Sequence, residues 1–227
     1  KKFYNLSNGY FDPTIGNVTL LYNFHNNSTP PQKRKILQAL NNTGMSNVSL
    51  IPPAFIKLTH TPVVLDLGGA AKGYIIDRIS EFLKTQNIKN FMVNIGGDIY
   101  AAGKNPQRRK WIIGLQHPRK YNEIITKFEL TDKAVVTSGD YERFFFYKGK
   151  RYHHIINPQT GLPVWNGIIS VTIIADNALL ADVLSTTLFL LGKEKGLKLL
   201  NKYFKTIKYL IITEDSQKNL KSYSNFI

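Results

Sequence analysis

Val63-Val64-Leu65-Asp66-Leu67-Gly68-Gly69-Ala70-Ala71-Lys72-Gly73 reads as a strand that stops at a glycine pair and turns into a helix. The apolar run 63–67 predicts a buried strand. Ala71, Ile75, Ile76, Ile79, Phe82 and Leu83 then recur at helical spacing, which predicts a helix of about 15 residues running to Lys84 or beyond. Glycines without Cβ atoms let such a turn approach a ligand closely, and the helix start offers unpaired N–H groups to anions. Lys72, one turn into the helix, can reach a phosphate as a point charge. The glycine spacing fits neither a Walker loop nor a dinucleotide fingerprint. A plain tight turn with a solvated lysine accounts for the spacing equally well.

Outward from this unit the pattern partly repeats. Phe91-Met92-Val93-Asn94-Ile95 is a second strand meeting a second pair, Gly96-Gly97, so two bare strand ends are expected near one ligand. Upstream lie a turn-rich stretch at 9–14, an Asn-rich loop at 23–32, and a short helix ended by Gly44 whose apolar face is Ile36, Leu37 and Leu40. Downstream, 111–115, 125–130, 134–136 and 143–147 read as successive strands. Lys148-Gly149-Lys150 closes a hairpin. Strand 170–174, helices at 177–191 and 196–204, and a last strand at 209–213 complete the order. Consecutive strands in the middle argue for an α+β fold, with a mixed, largely antiparallel sheet and packed helices, over a doubly wound sheet. No linker separates independent domains, so 1–227 is expected to be one unit.

The 227 residues carry 30 Lys and Arg against 15 Asp and Glu, a formal charge of +15, with 43% hydrophobic residues and no cysteine. That apolar fraction supports a core and argues against disorder. Without cysteine, thiol nucleophiles and Cys-based zinc sites are excluded, leaving a metal to oxygen or imidazole ligands. No apolar run reaches the roughly 20 residues of a membrane-spanning helix. The charge admits nucleic acid, an anionic membrane surface or an anionic small molecule. Most of it is Lys scattered from residue 1 to residue 221, and only Arg108-Arg109-Lys110 is dense. With no nucleic-acid reading module beside it, nucleic acid is not expected as a partner.

In the helix after Asn177, Asp182 and Thr186 stand four residues apart and project from one face. A carboxylate beside a hydroxyl suits Mg²⁺. A surface Asp and a Thr bonded back to its own helix is the commoner fate of such a pair, but this helix is apolar on most sides, and an Asp there needs a partner. His25, His60 and His117 stand in loop-like settings and read as solvated. His153 and His154 alternate faces on a strand, so only one can point at a given site. His154 could take a proton from a hydroxyl nucleophile, and a core histidine bonded to backbone is the competing reading. Ser138 in Thr137-Ser138-Gly139-Asp140-Tyr141 lacks a nucleophile elbow and reads as a ligand contact or turn residue.

Six ordered segments together resemble the ApbE family, the FAD:protein FMN transferases. They are Gly9-Tyr10-Phe11-Asp12-Pro13-Thr14, the 66–74 turn and helix start, Asn94-Ile95-Gly96-Gly97-Asp98-Ile99, 137–141, His154-Ile155-Ile156-Asn157-Pro158-Gln159-Thr160-Gly161 and Ala181-Asp182-Val183-Leu184-Ser185-Thr186. The resemblance implies an ApbE-like, T-fold-related architecture and an enzyme that uses Mg²⁺ and FAD. It would move FMN onto a Thr or Ser hydroxyl of an acceptor protein as a phosphoester and release AMP. It implies metal ligation by the carbonyl of Gly69 with Asp182 and Thr186, and flavin-nucleotide contacts at Tyr10, Phe11, Asp12, Asp66, Lys72 and Ile156, with Gly97, Ser138 and Gly139 as looser carry-overs. His154 and Asp182 are the expected catalytic residues, His154 as base or as the group orienting the acceptor hydroxyl.

Only eight residues precede Gly9, so the N-terminal segment that family members place before this motif is expected to be missing, along with any signal peptide or lipid anchor. Family precedent points to the bacterial cell surface or periplasm, with the cytoplasm still open. The rival readings are a Mg²⁺-dependent FAD pyrophosphatase giving FMN and AMP, a flavin-binding module without catalysis, and a nucleic-acid binder.

Overall fold

A computed structural model of the chain describes residues 1–59 and 62–226. Its helices are α1 (Lys2–Leu6), α2 (Gly16–Tyr22), α3 (Lys33–Leu40), α4 (Ala71–Thr85), α5 (Ala178–Leu191) and α6 (Lys193–Tyr203). Its strands are β1 (Val48–Ile51), β2 (Phe55–Leu58), β3 (Phe91–Ile95), β4 (Asp98–Ala102), β5 (Trp111–Gln116), β6 (Ile124–Leu130) and β7 (Lys133–Gly139). There follow β8 (Phe144–Tyr147), β9 (Lys150–His153), β10 (Ile156–Asn157), β11 (Leu162–Pro163), β12 (Ile168–Ala175), β13 (Lys208–Glu214) and β14 (Leu220–Ser224). Six of the strands form one sheet in the order β14-β13-β12-β7-β4-β3, antiparallel at every pairing. The fold is α+β, as the run of consecutive strands implies.

The two faces of this sheet follow from strand alternation. On one face Val171 and Ile173 of β12, Val136 of β7 and Tyr100 of β4 pack against Ala181, Leu184 and Leu188 of α5. On the other face Ile174, Val135 and Ile99 meet Ile113, Leu115, Phe128 and Leu130 of the β5–β6 hairpin. β12 is therefore buried along its whole length, which is why it reads as a near-continuous apolar run. Its buried Thr172 is satisfied across the register by Thr137, hydroxyl to hydroxyl at 2.9 Å. A third cluster, with Val18 and Tyr22 of α2, Ile36 and Ala39 of α3, and Phe145 and Ile156, forms a lobe beside the sheet.

Helix α4 has the predicted length, but its inward face differs. Gly73, Ile76 and Ser80 are buried, while Ile75, Ile79 and Phe82 are exposed. The reason is a close crossing with α5: a Cβ on Gly73 would lie 2.4 Å from the carbonyl oxygen of Ala178, so the crossing point must be a glycine. Asp77 fastens the same crossing by accepting from the backbone N–H groups of Ala178 (2.7 Å) and Leu179 (3.0 Å), while the side chain of Asn177 caps Leu180 N–H. These are donors that the first turn of α5 cannot satisfy internally.

Other expectations shift. Residues 63–67 are not a strand; a single parallel bridge, Ile15 to Val64, holds them to the start of α2. In α3 it is Ile36 and Ala39 that are buried, and Leu37 is exposed. β13 is followed by a further edge strand, β14, and an unanticipated hairpin, β1–β2, stands between α3 and the glycine turn.

Gly73→Ala is expected to lower unfolding stability by about 1–3 kcal/mol or more, because the added methyl meets backbone instead of a side chain that can swing away. Urea unfolding would show it as a fall in midpoint at unchanged slope.

Candidate functional site

The glycine turn, the start of α4, the middle of α5 and the segment after β9 surround a cavity of about 810 Å³. Phe11, Asp12, Asp66, Gly69, Lys72, Ser138, Gly139, His154, Ile156, Asp182 and Thr186 all line it. Two anticipated residues do not. Tyr10 faces a separate cleft beside α6, where Lys195 Nζ donates to its hydroxyl at 3.4 Å. Gly97 sits in the β3–β4 turn, where Gly96 and Gly97 have φ of 58° and 95° and a Cβ would meet nothing within 4 Å. That glycine pair gives the β3–β4 hairpin its turn geometry, and Gly97 is not among the residues lining this cavity, although its neighbour Asp98 is.

Asp182 is buried on α5 and accepts a 2.9 Å hydrogen bond through Oδ2 from the backbone N–H of Gly73. That N–H belongs to the first turn of α4, where no intrahelical acceptor exists. Among the described residues no protein donor reaches Asp182 Oδ1. Burial raises the carboxyl to about 6, assisted by the charge of Asp98 and opposed by the Gly73 N–H and Lys72. One turn on, Thr186 is the residue of that stretch left partly open, and its hydroxyl lies 3.2 Å from Ser138 Oγ, which also touches Ser185 Oγ at 2.8 Å. Ser138 is thus a strut beneath Thr186. A Cβ on Gly69 would stand 3.1 Å from Thr186 Oγ1 and 3.2 Å from Phe11, a tight fit that the absence of a side chain relieves where the turn backbone runs against this hydroxyl.

These atoms fit a hard cation such as Mg²⁺, which takes oxygen ligands and keeps waters. Gly69 offers a carbonyl, Asp182 a carboxylate oxygen without a protein partner, and Thr186 a hydroxyl. Among the described residues no group of three or more His, Cys, Asp or Glu could hold a metal, so any cation here depends on backbone and hydroxyl oxygens around one carboxylate.

Lys72 does not stand free. Its ammonium pairs at 2.9 Å with Asp98 Oδ2, a carboxylate buried at the start of β4, while the lysine side chain stays 43% exposed. Burial raises the Asp98 carboxyl, and Lys72 opposes that rise. Asp98 is the member of the site that sequence reasoning left without a role. The available signal was a carboxylate heading the wholly buried strand 98–102, which needs a cation.

The two histidines divide as alternation requires. His153 is a core residue, with Nε2 2.7 Å from the carbonyl of Val164 and Nδ1 accepting from Ile155 N–H. His154 lines the cavity, and its Nδ1 is shut off from solvent with no hydrogen-bond partner among the described residues. Burial, then the charge of Arg143, lowers it to about 3, against a smaller opposing pull from the Arg143 backbone, so the imidazole is neutral at pH 7. Arg143 also lines the cavity, as does the exposed His25. His117, expected to be solvated, builds a turn by accepting from Arg119 and Lys120 N–H at 3.1 Å each; His60 lies outside the described residues. Asp12 and Asp66 shape the cavity wall through turns, Asp12 capping Thr14 and Asp66 accepting from Gly68 N–H at 2.8 Å. Asp140 anchors the wall from behind, bound by both Arg119 and Arg151.

Residues 1–211 match the model of the ApbE family. Among curated proteins, the FAD:protein FMN transferase of Haemophilus influenzae is 33% identical, covering 97% of this chain and 66% of its own length. The protein of that description from Treponema pallidum is 34% identical, with 88% of this chain and 60% of its own covered. The chain thus spans about two thirds or less of the curated relatives it matches. Among solved structures, the flavin transferase ApbE from Vibrio cholerae superposes with a TM-score of 0.87 at 29% identity, over 99% of this chain and 72% of that one. The ApbE protein from Thermotoga maritima gives 0.85 at 35% identity, over 97% and 72%.

Two opposed pH effects are expected in metal-free solution. Asp182 titrates near 6 when folded and near 3.8 when unfolded, so the folded state holds its proton longer and stability falls as pH rises between those values, by about 3 kcal/mol. His154 titrates near 3 when folded and near 6.5 when unfolded, so its share of stability is present above 6.5 and is lost on acidification. Asp182→Asn should therefore melt higher than wild type at pH 8 and converge with it near pH 4, and His154→Gln should be less acid-labile. Thermal melts across pH, read as differences from wild type, check both signs.

Proposed function

The chain belongs to the ApbE family, and on that premise we propose that it moves FMN from FAD onto a Thr or Ser hydroxyl of an acceptor protein, with Mg²⁺ as its metal and AMP as the released nucleotide. The observation that carries this reading is the meeting, in one cavity, of a buried carboxylate with a free oxygen, a hydroxyl and a glycine backbone, a lysine, and a neutral imidazole with an unpartnered nitrogen. Gly69, Asp182 and Thr186 would hold the metal, which when bound supplies charge neutralisation at the pyrophosphate.

The rest is the work of the chain. The acceptor oxygen attacks the phosphorus on the FMN side, the bond from that phosphorus to the bridging oxygen breaks, and AMP leaves with the bond's electron pair. Lys72, steadied by Asp98, presents a fixed cation to the pyrophosphate without reorganising during the reaction. His154 receives the hydroxyl proton. Its basicity is depressed by burial and by Arg143, and an anionic substrate alongside raises it again. Asp182, committed by one oxygen to Gly73 N–H, is the poorer base.

The test is incubation with FAD, Mg²⁺ and an acceptor domain bearing a modifiable Thr, followed by intact mass of the acceptor and analysis of free nucleotides. Covalent FMN with stoichiometric AMP supports the proposal. FMN and AMP without adduct would make water the acceptor and the protein a pyrophosphatase. Asp182→Ala is expected to remove turnover. His154→Asn should slow transfer by about 10²–10⁴-fold with FAD affinity retained, and an unchanged rate would remove the histidine from the mechanism. Lys72→Met should weaken FAD binding and turnover together.

A further inference from the structure

The β1–β2 hairpin carries more exposed apolar surface than its length explains. Leu50, Ile51, Phe55 and Ile56 are 56%, 44%, 67% and 57% exposed, and none of them belongs to a core cluster. The register pairs Leu50 with Ile56 on one face and Ile51 with Phe55 on the other, so both faces of the ribbon are apolar towards its end. The tip, Ile51-Pro52-Pro53-Ala54-Phe55, has no polar side chain, and its two prolines remove two backbone donors that would otherwise need water. Four residues per strand give the ribbon a reach of about 13 Å, against the 5–10 Å to which interfacial elements typically sink past lipid headgroups.

Charge selects the partner. From Pro13 through Leu65 the chain contains no Asp or Glu, while Lys33, Arg34 and Lys35 of α3 and Lys57 of the hairpin are all exposed. Lys57 is the hairpin's one ionic residue and lies opposite Ser49, towards the base, where its stem can run along apolar surface with the ammonium in the headgroups. A protein groove covers one side of such a ribbon. A fluid apolar medium under an anionic surface covers both sides and the tip, and it matches the acid-free stretch. Among the described residues no helix is long and apolar enough to cross a membrane, so this contact is peripheral.

We propose that the β1–β2 hairpin is a membrane-insertion element that seats this lobe on an anionic lipid surface. The inference is independent of the transfer reaction.

Flotation with vesicles of phosphatidylcholine alone, or mixed with phosphatidylglycerol, tests it. The chain should float with the mixed vesicles only. Ile51→Ser/Phe55→Ser should weaken binding about tenfold or more with an unchanged melting temperature, since neither side chain is in the core. Replacing Lys33, Arg34 and Lys35 by Gln should weaken it in proportion to the salt sensitivity. In the Phe55→Trp variant, the emission of the new indole should shift to the blue and be quenched by brominated lipid. Absence of vesicle binding, binding unaffected by the Ser pair, or emission from the Phe55→Trp variant that brominated lipid leaves unquenched would overturn the proposal. So would loss of a dimer or of acceptor affinity in the Ser pair without vesicle binding, which would assign the hairpin to a protein partner.

Discussion

The backbone N–H of Gly73 bonds to the carboxylate of Asp182 because two helices cross at a point where one has no side chain. The first turn of α4 has N–H groups to give, and α5, buried on almost every side, has a carboxylate that must be satisfied. Gly73 and Ala178 in contact set the distance, and Asp77 locks the angle through the first N–H groups of α5. The consequences run outward. The glycine turn is held over α5, Gly69 comes against Thr186, and Lys72 is delivered beside Asp98.

Placing two carboxylates, Asp98 and Asp182, in an apolar interior is destabilising unless the charges pair. Here the pairing is incomplete. Lys72 is taken up by Asp98, Asp182 has only a single N–H through one oxygen, and His154 Nδ1 has no partner among the described residues. The raised carboxyl and the depressed imidazole are two expressions of that shortage. A cavity that leaves a carboxylate oxygen and an imidazole nitrogen without partners among the described residues, beside a partly open hydroxyl, has the features that mark functional sites.

Where one side chain's chemistry forces its environment, the sequence is readable. Asp182 and Thr186 could be paired because a carboxylate in an apolar helix demands a partner, and His154 could be separated from His153 because strands alternate. The α+β class followed from consecutive strands. Features set by contacts between distant segments were not readable. The apolar stripe of α4 pointed correctly to Ile76 but also to Ile75, Ile79 and Phe82, which are exposed, whereas the crossing with α5 brings Gly73 and Ser80 inward. Residues 63–67 have strand composition, but among the described residues they pair only with the segment before α2, through the Ile15–Val64 bridge and the Asp66 N–H bond to the Pro13 carbonyl. The second glycine pair has the same composition as the first, but it turns at positive φ from one strand into another instead of leading into a helix. Asp98 acquires its role from a lysine 26 positions earlier in the chain, a pairing that no local pattern encodes.

The central claim is that the crossing of α4 and α5 builds a cation-dependent nucleotide site around Asp182. Thermal melting of wild type and Asp182→Asn at pH 8, with FAD alone, Mg²⁺ alone and both together, tests it most directly. The account predicts that Mg²⁺ and FAD together raise the wild-type melting temperature by more than the sum of their separate effects, and that the variant, more stable at rest, shows no such synergy. Equal synergy in both proteins would contradict it.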